Sequence, residues 1–119
     1  MTDDKKLKLQ ERMAELHEKY CKKLPEKYQE IEDSWNEYKS DLSNPDFIET
    51  FYRNIHTLKG TAATFGFNAQ ADICFEIQKL LLDIKEVNAI LEETSVSQIN
   101  KHMVNLKKSI STPADDIPD

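Results

Sequence analysis

Apolar residues recur at steps of three and four along almost the whole of this 119-residue chain. That spacing places their side chains on one face of an α-helix. The positions between them are mostly charged or amide residues, and no stretch alternates with the period of two that indicates a β-strand. The pattern therefore predicts an all-α protein in which each helix buries one apolar face.

Proline, glycine and capping residues divide the pattern into five predicted helices. Pro25 interrupts the first long run. Because proline fits the first turn of a helix but not its interior, a second helix is predicted to begin there. Asn44 and Pro45 suit the N-cap and first position of the third helix, and Gly66 suits its C-terminal stop. The predicted helices span residues 5–24, 25–42, 45–65, 68–92 and 95–110.

The later boundaries have similar signals. Asn68 is a suitable N-cap for the fourth helix, and Ser95 with Gln98 fits a capping box that opens the fifth. Residues 111–119 contain two prolines and three aspartates and are predicted to be disordered. Short connections between amphipathic helices favour antiparallel neighbours. We therefore expect one domain over residues 1–119: an up-and-down four-helix bundle with an additional N-terminal helix, which packs across one end or lengthens one side.

Composition and charge exclude several classes of function. The net charge is -6 and no basic block is present, so nucleic-acid binding is not expected. No apolar run reaches the roughly 20 residues that cross a bilayer, and no secretory signal is visible. The two cysteines lie in different predicted helices, which favours a reducing, cytoplasmic setting without disulfides. His17 and Cys21 are four residues apart but have no second pair of ligands, so neither a metal nor a cofactor is expected.

The third predicted helix contains one unusual residue. Gly60 lies in its interior, where glycine costs about 1 kcal/mol relative to alanine. At 100° per residue, His56 lies about 130° from the centre of the apolar face and is expected to be exposed. Lys59 and Gly60 follow it by three and four residues and are its surface neighbours. An inert surface histidine is the common alternative, but these neighbours favour a special role for His56.

These residues also resemble the signature of a known family. The run from His56 to Phe67, HTLKGTAATFGF, is similar to the pattern His-x-Leu-Lys-Gly-(Ser/Thr)-Ala of histidine-containing phosphotransfer domains, in which a glycine ends the same helix. Residues 71–80, which include Cys74, Ile77 and Gln78, resemble the small and apolar run of the family's next helix. The resemblance covers roughly residues 10–110.

The resemblance implies a phosphorelay intermediate without a nucleotide or metal site of its own. His56 would accept a phosphoryl group from the aspartyl phosphate of a receiver domain and pass it to another receiver, including those of hybrid histidine kinases. A neutral imidazole nitrogen is a competent nucleophile near pH 7, because the reference pKa of the histidine side chain in water is about 6.5. Lys59 would attract phosphate oxygens, and Gly60 would leave room for the receiver. Gln78, where an acidic residue is commoner, would bond the non-reacting ring nitrogen, orient the phosphoryl group, or be an ordinary polar residue at the rim.

The receiver would dock around His56. Small or apolar residues are expected near the centre of that surface and charges at its rim. Two other functions remain as alternatives: a helical interaction module with an inert histidine, and a kinase-phosphorylated domain of the chemotaxis type. A monomer is expected, because the bundle needs no partner subunit. For Phe67, a core position after Gly66 is the alternative to docking. The predicted docking residues are Tyr52, Arg53, Ala63, Thr64 and Phe67.

Overall fold

Four helices make up the structure, a computed structural model that describes residues 2–87 and 89–111. Each helix packs against the next, and the last packs back against the first, so the four form a closed bundle. The all-α class and the bundle are confirmed, whereas the fifth helix is not found among the described residues. The helices are α1 (Thr2–Ser40), α2 (Pro45–Thr64), α3 (Asn68–Val87) and α4 (Glu93–Ser111).

The predicted break at Pro25 is wrong. The predicted helices 5–24 and 25–42 form the single helix α1, which contains Pro25 in its interior. Leu24 and Tyr28, on either side of the proline, are both buried in the same core. An interior proline costs about 3 kcal/mol or more, while each large buried side chain contributes about 1.5–3 kcal/mol. The shared buried face therefore outweighs the missing backbone hydrogen bond.

The N-terminal part of α1 extends beyond the other helices. Every side chain from residue 3 to residue 16 is exposed. A helix of 39 residues is about 58 Å long at 1.5 Å per residue, and the longest dimension of the molecule is 57 Å. The N-terminal segment therefore lengthens one side of the bundle as part of α1, rather than forming an additional helix.

The predicted boundaries of α2 are close to those observed. The Oδ1 atom of Asn44 accepts a hydrogen bond from the backbone N–H of Asp46 at 2.9 Å, as an N-cap does. At the other end, Gly66 has a φ of 81°, the left-handed conformation that favours glycine. Both signals are local, so they could be interpreted correctly without knowledge of the tertiary structure.

The connection between α3 and α4 differs from its prediction. The fourth predicted helix, 68–92, ends earlier, at Val87. The predicted capping box at Ser95 is wrong, because the backbone N–H of Val96 donates to the carbonyl of Glu92 at 3.0 Å, and α4 has already begun at Glu93. Residues 112–119 of the predicted disordered tail lie outside the described residues.

Trp35 anchors the core, as its position in the apolar pattern predicts. Its buried ring stacks on Phe51 of α2, with 5.0 Å between the ring centroids. Its Nε1–H donates to Oδ1 of Asn100 in α4 at 2.8 Å. One side chain thus joins three helices. Among the described residues, no helix is both long and apolar enough to cross a membrane.

Candidate functional site

The α2 helix turns its apolar face inward and His56 outward. Ile55 and Leu58 are buried in the core, whereas His56 and Gly60 are exposed. A β-carbon added to Gly60 would meet no atom of the described residues within 4 Å beyond the neighbouring backbone of its own helix. Packing among the described residues therefore does not require glycine at this position.

A buried glutamine fixes one nitrogen of the His56 ring. Gln78 of α3 is only 8% exposed, and its Oε1 atom lies 3.3 Å from Nδ1 of His56. A carbonyl oxygen can only accept a hydrogen bond, so in this orientation of the amide the proton lies on Nδ1. The other ring nitrogen, Nε2, then carries an unshared electron pair and has no partner among the described residues.

Two lysines lie against an exposed phenylalanine beside this pair. The ring of Phe75 is 45% exposed, and the Nζ atoms of Lys59 and Lys79 lie 5.3 and 5.0 Å from its centroid. The two ammonium groups are therefore within about 10 Å of each other. Phe75 and Lys79 were not predicted from the sequence as site residues. Their only signal was the position of Phe75 one turn before Gln78, outside the apolar face of α3.

A second group of charges lies towards the N-terminal end of α2. The Tyr52 ring is nearly parallel to the imidazole of His56, with 5.9 Å between centroids and 12° between planes. The Nζ atom of Lys85 lies 4.1 Å from the centroid of the Tyr52 ring, and it donates to Oε2 of Glu49 at 2.6 Å. This hydrogen bond is the main cause that holds the pKa of Glu49 below its ordinary value.

The antiparallel register of α2 and α3 brings these groups together. Glu49 lies seven residues before His56, and Lys85 lies seven residues after Gln78. Seven residues are two helical turns, so each pair shares one face of its own helix. Sequence reasoning missed Lys85 because the spacing has meaning only after the register is known.

Comparison with known proteins gives the family of this fold and site. The family model described as "Hpt domain" matches residues 15–109. The chain belongs to the Hpt domain family. This match confirms the resemblance of its histidine motif to histidine-containing phosphotransfer domains. Hpt domains are phosphoryl-carrying modules of two-component phosphorelays, so the protein is a signalling module of that type.

A solved structure shares the fold of this Hpt domain. It is the CheA phosphotransferase domain from Thermotoga maritima, with a TM-score of 0.73 and 20% sequence identity. The alignment covers 84% of this chain and 95% of that chain. At this identity the likeness shows a common fold. Comparison with curated protein sequences finds no match.

The Hpt domain exposes most of the predicted docking residues but buries one. Arg53, Ala63 and Thr64 are exposed, and Tyr52 is half-buried. The prediction that Phe67 docks a partner is wrong, because its side chain is 1% exposed. The left-handed turn before it directs the chain back towards α1, where the Phe67 ring stacks on His17 with 5.1 Å between centroids.

Of the two cysteines of the Hpt domain, Cys74 is buried in the core and Cys21 lies on α1. Burial raises the pKa of the Cys74 thiol to about 12, so it behaves as a small apolar core residue. The Sγ atom of Cys21 lies 3.8 Å from Nδ1 of His17. Within the described ranges, no group of three or more His, Cys, Asp or Glu side chains is placed to hold a metal ion.

Proposed function

We propose that this Hpt domain carries a phosphoryl group on Nε2 of His56. It accepts the group from the aspartyl phosphate of one receiver domain and donates it to another. The observation that supports this role most directly is the hydrogen bond between Nδ1 of His56 and the buried Gln78. That bond leaves Nε2 as the nucleophilic atom on an exposed face of α2.

The proposed transfer needs no change of protonation. The electron pair of Nε2 attacks phosphorus, and an N–P bond forms while the bond from phosphorus to the aspartate oxygen breaks. The aspartate leaves as a carboxylate with that electron pair. The imidazole keeps its proton on Nδ1 and becomes cationic, and Oε1 of Gln78 continues to accept the hydrogen bond.

Lys59 is positioned to stabilise the phosphoryl group. It lies one turn after His56, at the spacing of surface neighbours on a helix. Its contact with the exposed Phe75 ring is of a type that contributes about 0.5–1 kcal/mol. A hydrogen bond to a charged group contributes about 1.5–3 kcal/mol. The ammonium group is therefore expected to leave the ring for the phosphoryl oxygens when His56 is loaded.

The receiver is proposed to dock over the exposed face of α2. Gly60 lies at its centre, Ala63 and Thr64 lie one turn further along, and Arg53 lies at the rim. A bare backbone at Gly60 allows the receiver's active site to reach the imidazole, and proximity of this kind is a main source of rate in phosphoryl transfer. The domain is proposed to act as a cytoplasmic monomer.

The test is transfer from a receiver phosphorylated with labelled phosphate. The wild-type domain should acquire an acid-labile label, and His56→Gln should acquire none. His102→Gln is the matched control, because it removes a histidine from α4 on another part of the bundle and should leave labelling unchanged. A label on His56→Gln equal to that on wild type would contradict the assignment of His56. A profile against all receivers of the source organism would then identify the donors and acceptors.

A further inference from the structure

Tyr52 was predicted to contact a partner, but its surroundings indicate a different role. Its ring is half-buried and lies nearly parallel to the His56 imidazole. The Lys85 ammonium group lies 4.1 Å from its centroid, closer than either lysine lies to Phe75. Two residues of the same domain, His56 and Lys85, therefore already lie beside the Tyr52 ring.

Lys85 is itself held in place. Its side chain is 27% exposed, and its ammonium group donates to the Glu49 carboxylate at 2.6 Å. Oε1 of the same carboxylate forms an ion pair with Nε of Arg53 at 3.4 Å. A cation–π contact is stronger where it is partly shielded from water. Glu49 and Lys85 therefore form a clamp that fixes the Tyr52 ring.

A fixed ring beside His56 restricts the χ2 torsion of the imidazole. The hydrogen bond to Gln78 alone restricts this torsion poorly. The χ2 torsion of histidine has broad, roughly two-fold wells. A single hydrogen bond at Nδ1 leaves the imidazole free to tilt about that contact. A flat neighbour parallel to the imidazole restricts the tilt and so restricts the direction of Nε2.

We propose that Tyr52 is a positioning residue for His56, held by the clamp of Lys85 and Glu49. It orients the imidazole plane so that the Nε2 electron pair points along the line of attack on phosphorus. This inference rests on the proposed function, because it assumes that Nε2 of His56 accepts the phosphoryl group. A positioning role for Tyr52 differs from a docking role in one respect. The orientation of the imidazole matters for every phosphoryl donor, including one too small to touch Tyr52.

Phosphoramidate is a donor that separates the two roles. In its reaction with His56 the N–P bond to Nε2 forms, the P–N bond of phosphoramidate breaks, and ammonia leaves with the electron pair. Tyr52→Leu should lower this rate constant about three- to tenfold, the range that corresponds to the loss of one aromatic pair. It should lower kcat for transfer from a phosphorylated receiver by the same factor and leave KM unchanged.

Conservative variants and a spectroscopic measurement complete the test. Tyr52→Phe keeps the ring and should retain the wild-type rate, and Lys85→Met should lower it about two- to fivefold. Lys39→Met is the matched control, because it removes a lysine that lies 5.3 Å from the Trp35 ring, away from the site. Long-range ¹H–¹⁵N spectra should show altered ring ¹⁵N shifts for His56 in Tyr52→Leu, smaller changes in Lys85→Met and none in Lys39→Met, with thermal unfolding confirming that each variant is folded.

Two results would overturn the inference while the proposed function stands. One is an unchanged phosphoramidate rate in Tyr52→Leu with a raised KM for the receiver, which is the behaviour of a docking residue. The other is an unchanged ¹⁵N spectrum of His56 in that variant. If wild-type protein is not phosphorylated on His56 by either donor, the proposed function itself fails.

Discussion

Gly60→Ala separates the stability of α2 from its proposed use by a receiver. Gly60 is an exposed residue in the interior of α2, and an added β-carbon meets no atom of the described residues within 4 Å beyond the neighbouring backbone of its own helix. The methyl group therefore causes no clash in the free domain. It also reduces the conformational entropy of the unfolded chain.

Gly60→Ala is expected to raise the stability of the free domain and to lower the rate of transfer from a receiver. Glycine inside a helix is about 0.5–1 kcal/mol less favourable than alanine, so Gly60→Ala should raise the free energy of unfolding by that amount. For a domain of this size the midpoint of thermal unfolding should rise by about 2–5 °C. In the complex, a methyl group inserted into a close contact costs about 1–3 kcal/mol, so transfer from a receiver should slow by about five- to hundredfold.

Thermal unfolding and two donors provide the assay. Transfer from phosphoramidate should be unchanged in Gly60→Ala, because a small donor needs no clearance. Gly66→Ala is the contrasting variant: its φ of 81° disfavours a side chain by about 1–2 kcal/mol, so stability should fall. If Gly60→Ala is stabilised and receiver transfer keeps its wild-type rate, the clearance argument is refuted. A lower unfolding temperature would instead refute the description of Gly60 as an unconstrained helical residue.

Four further predictions concern the core. The buried Tyr38 hydroxyl has no hydrogen-bond partner among the described residues, so Tyr38→Phe should raise the free energy of unfolding by about 1 kcal/mol, measured by urea unfolding. The same change at Tyr20 should lower it, because the Tyr20 hydroxyl donates to Oε1 of Gln70 at 3.0 Å. Phe67→Ala should cost about 3–5 kcal/mol if the ring is a core residue, and a loss below about 1 kcal/mol would contradict its burial. Because burial raises the pKa of Cys74 from its ordinary value of 9.0 to about 12, the unfolded state loses this proton first, and stability should fall as the pH rises from 9 towards 12. The urea midpoint of wild type minus that of Cys74→Ala should decrease across this range, and a constant difference would contradict the shift.

Local signals in the sequence predicted α2 and its main surface features well. The cap at Asn44, the stop at Gly66 and the outward direction of His56 each depend on residues within a few turns of one helix. Periodicity and capping chemistry are sufficient for such features. The family motif lies within the same short run, which is why the family could be identified from sequence.

Features that depend on contacts between distant segments were not predictable in the same way. Pro25 lies inside a helix because the residues on both sides of it are buried against other helices. Phe67 is buried because the turn at Gly66 directs it towards α1. The position of Lys85 beside Tyr52 follows from the register of α2 against α3, which no local pattern encodes.

The neutral amide of Gln78 has a consequence for reversibility. A carbonyl oxygen accepts the Nδ1 hydrogen bond but cannot take the proton, so in the proposed relay loading and unloading of His56 would involve the same protonation states. Neither direction then requires a general acid or base from this domain, and neither is favoured by its chemistry. In the proposed relay, the carrier is symmetric, and the direction of phosphoryl flow is determined by the relative stabilities of the aspartyl phosphates on the two receivers.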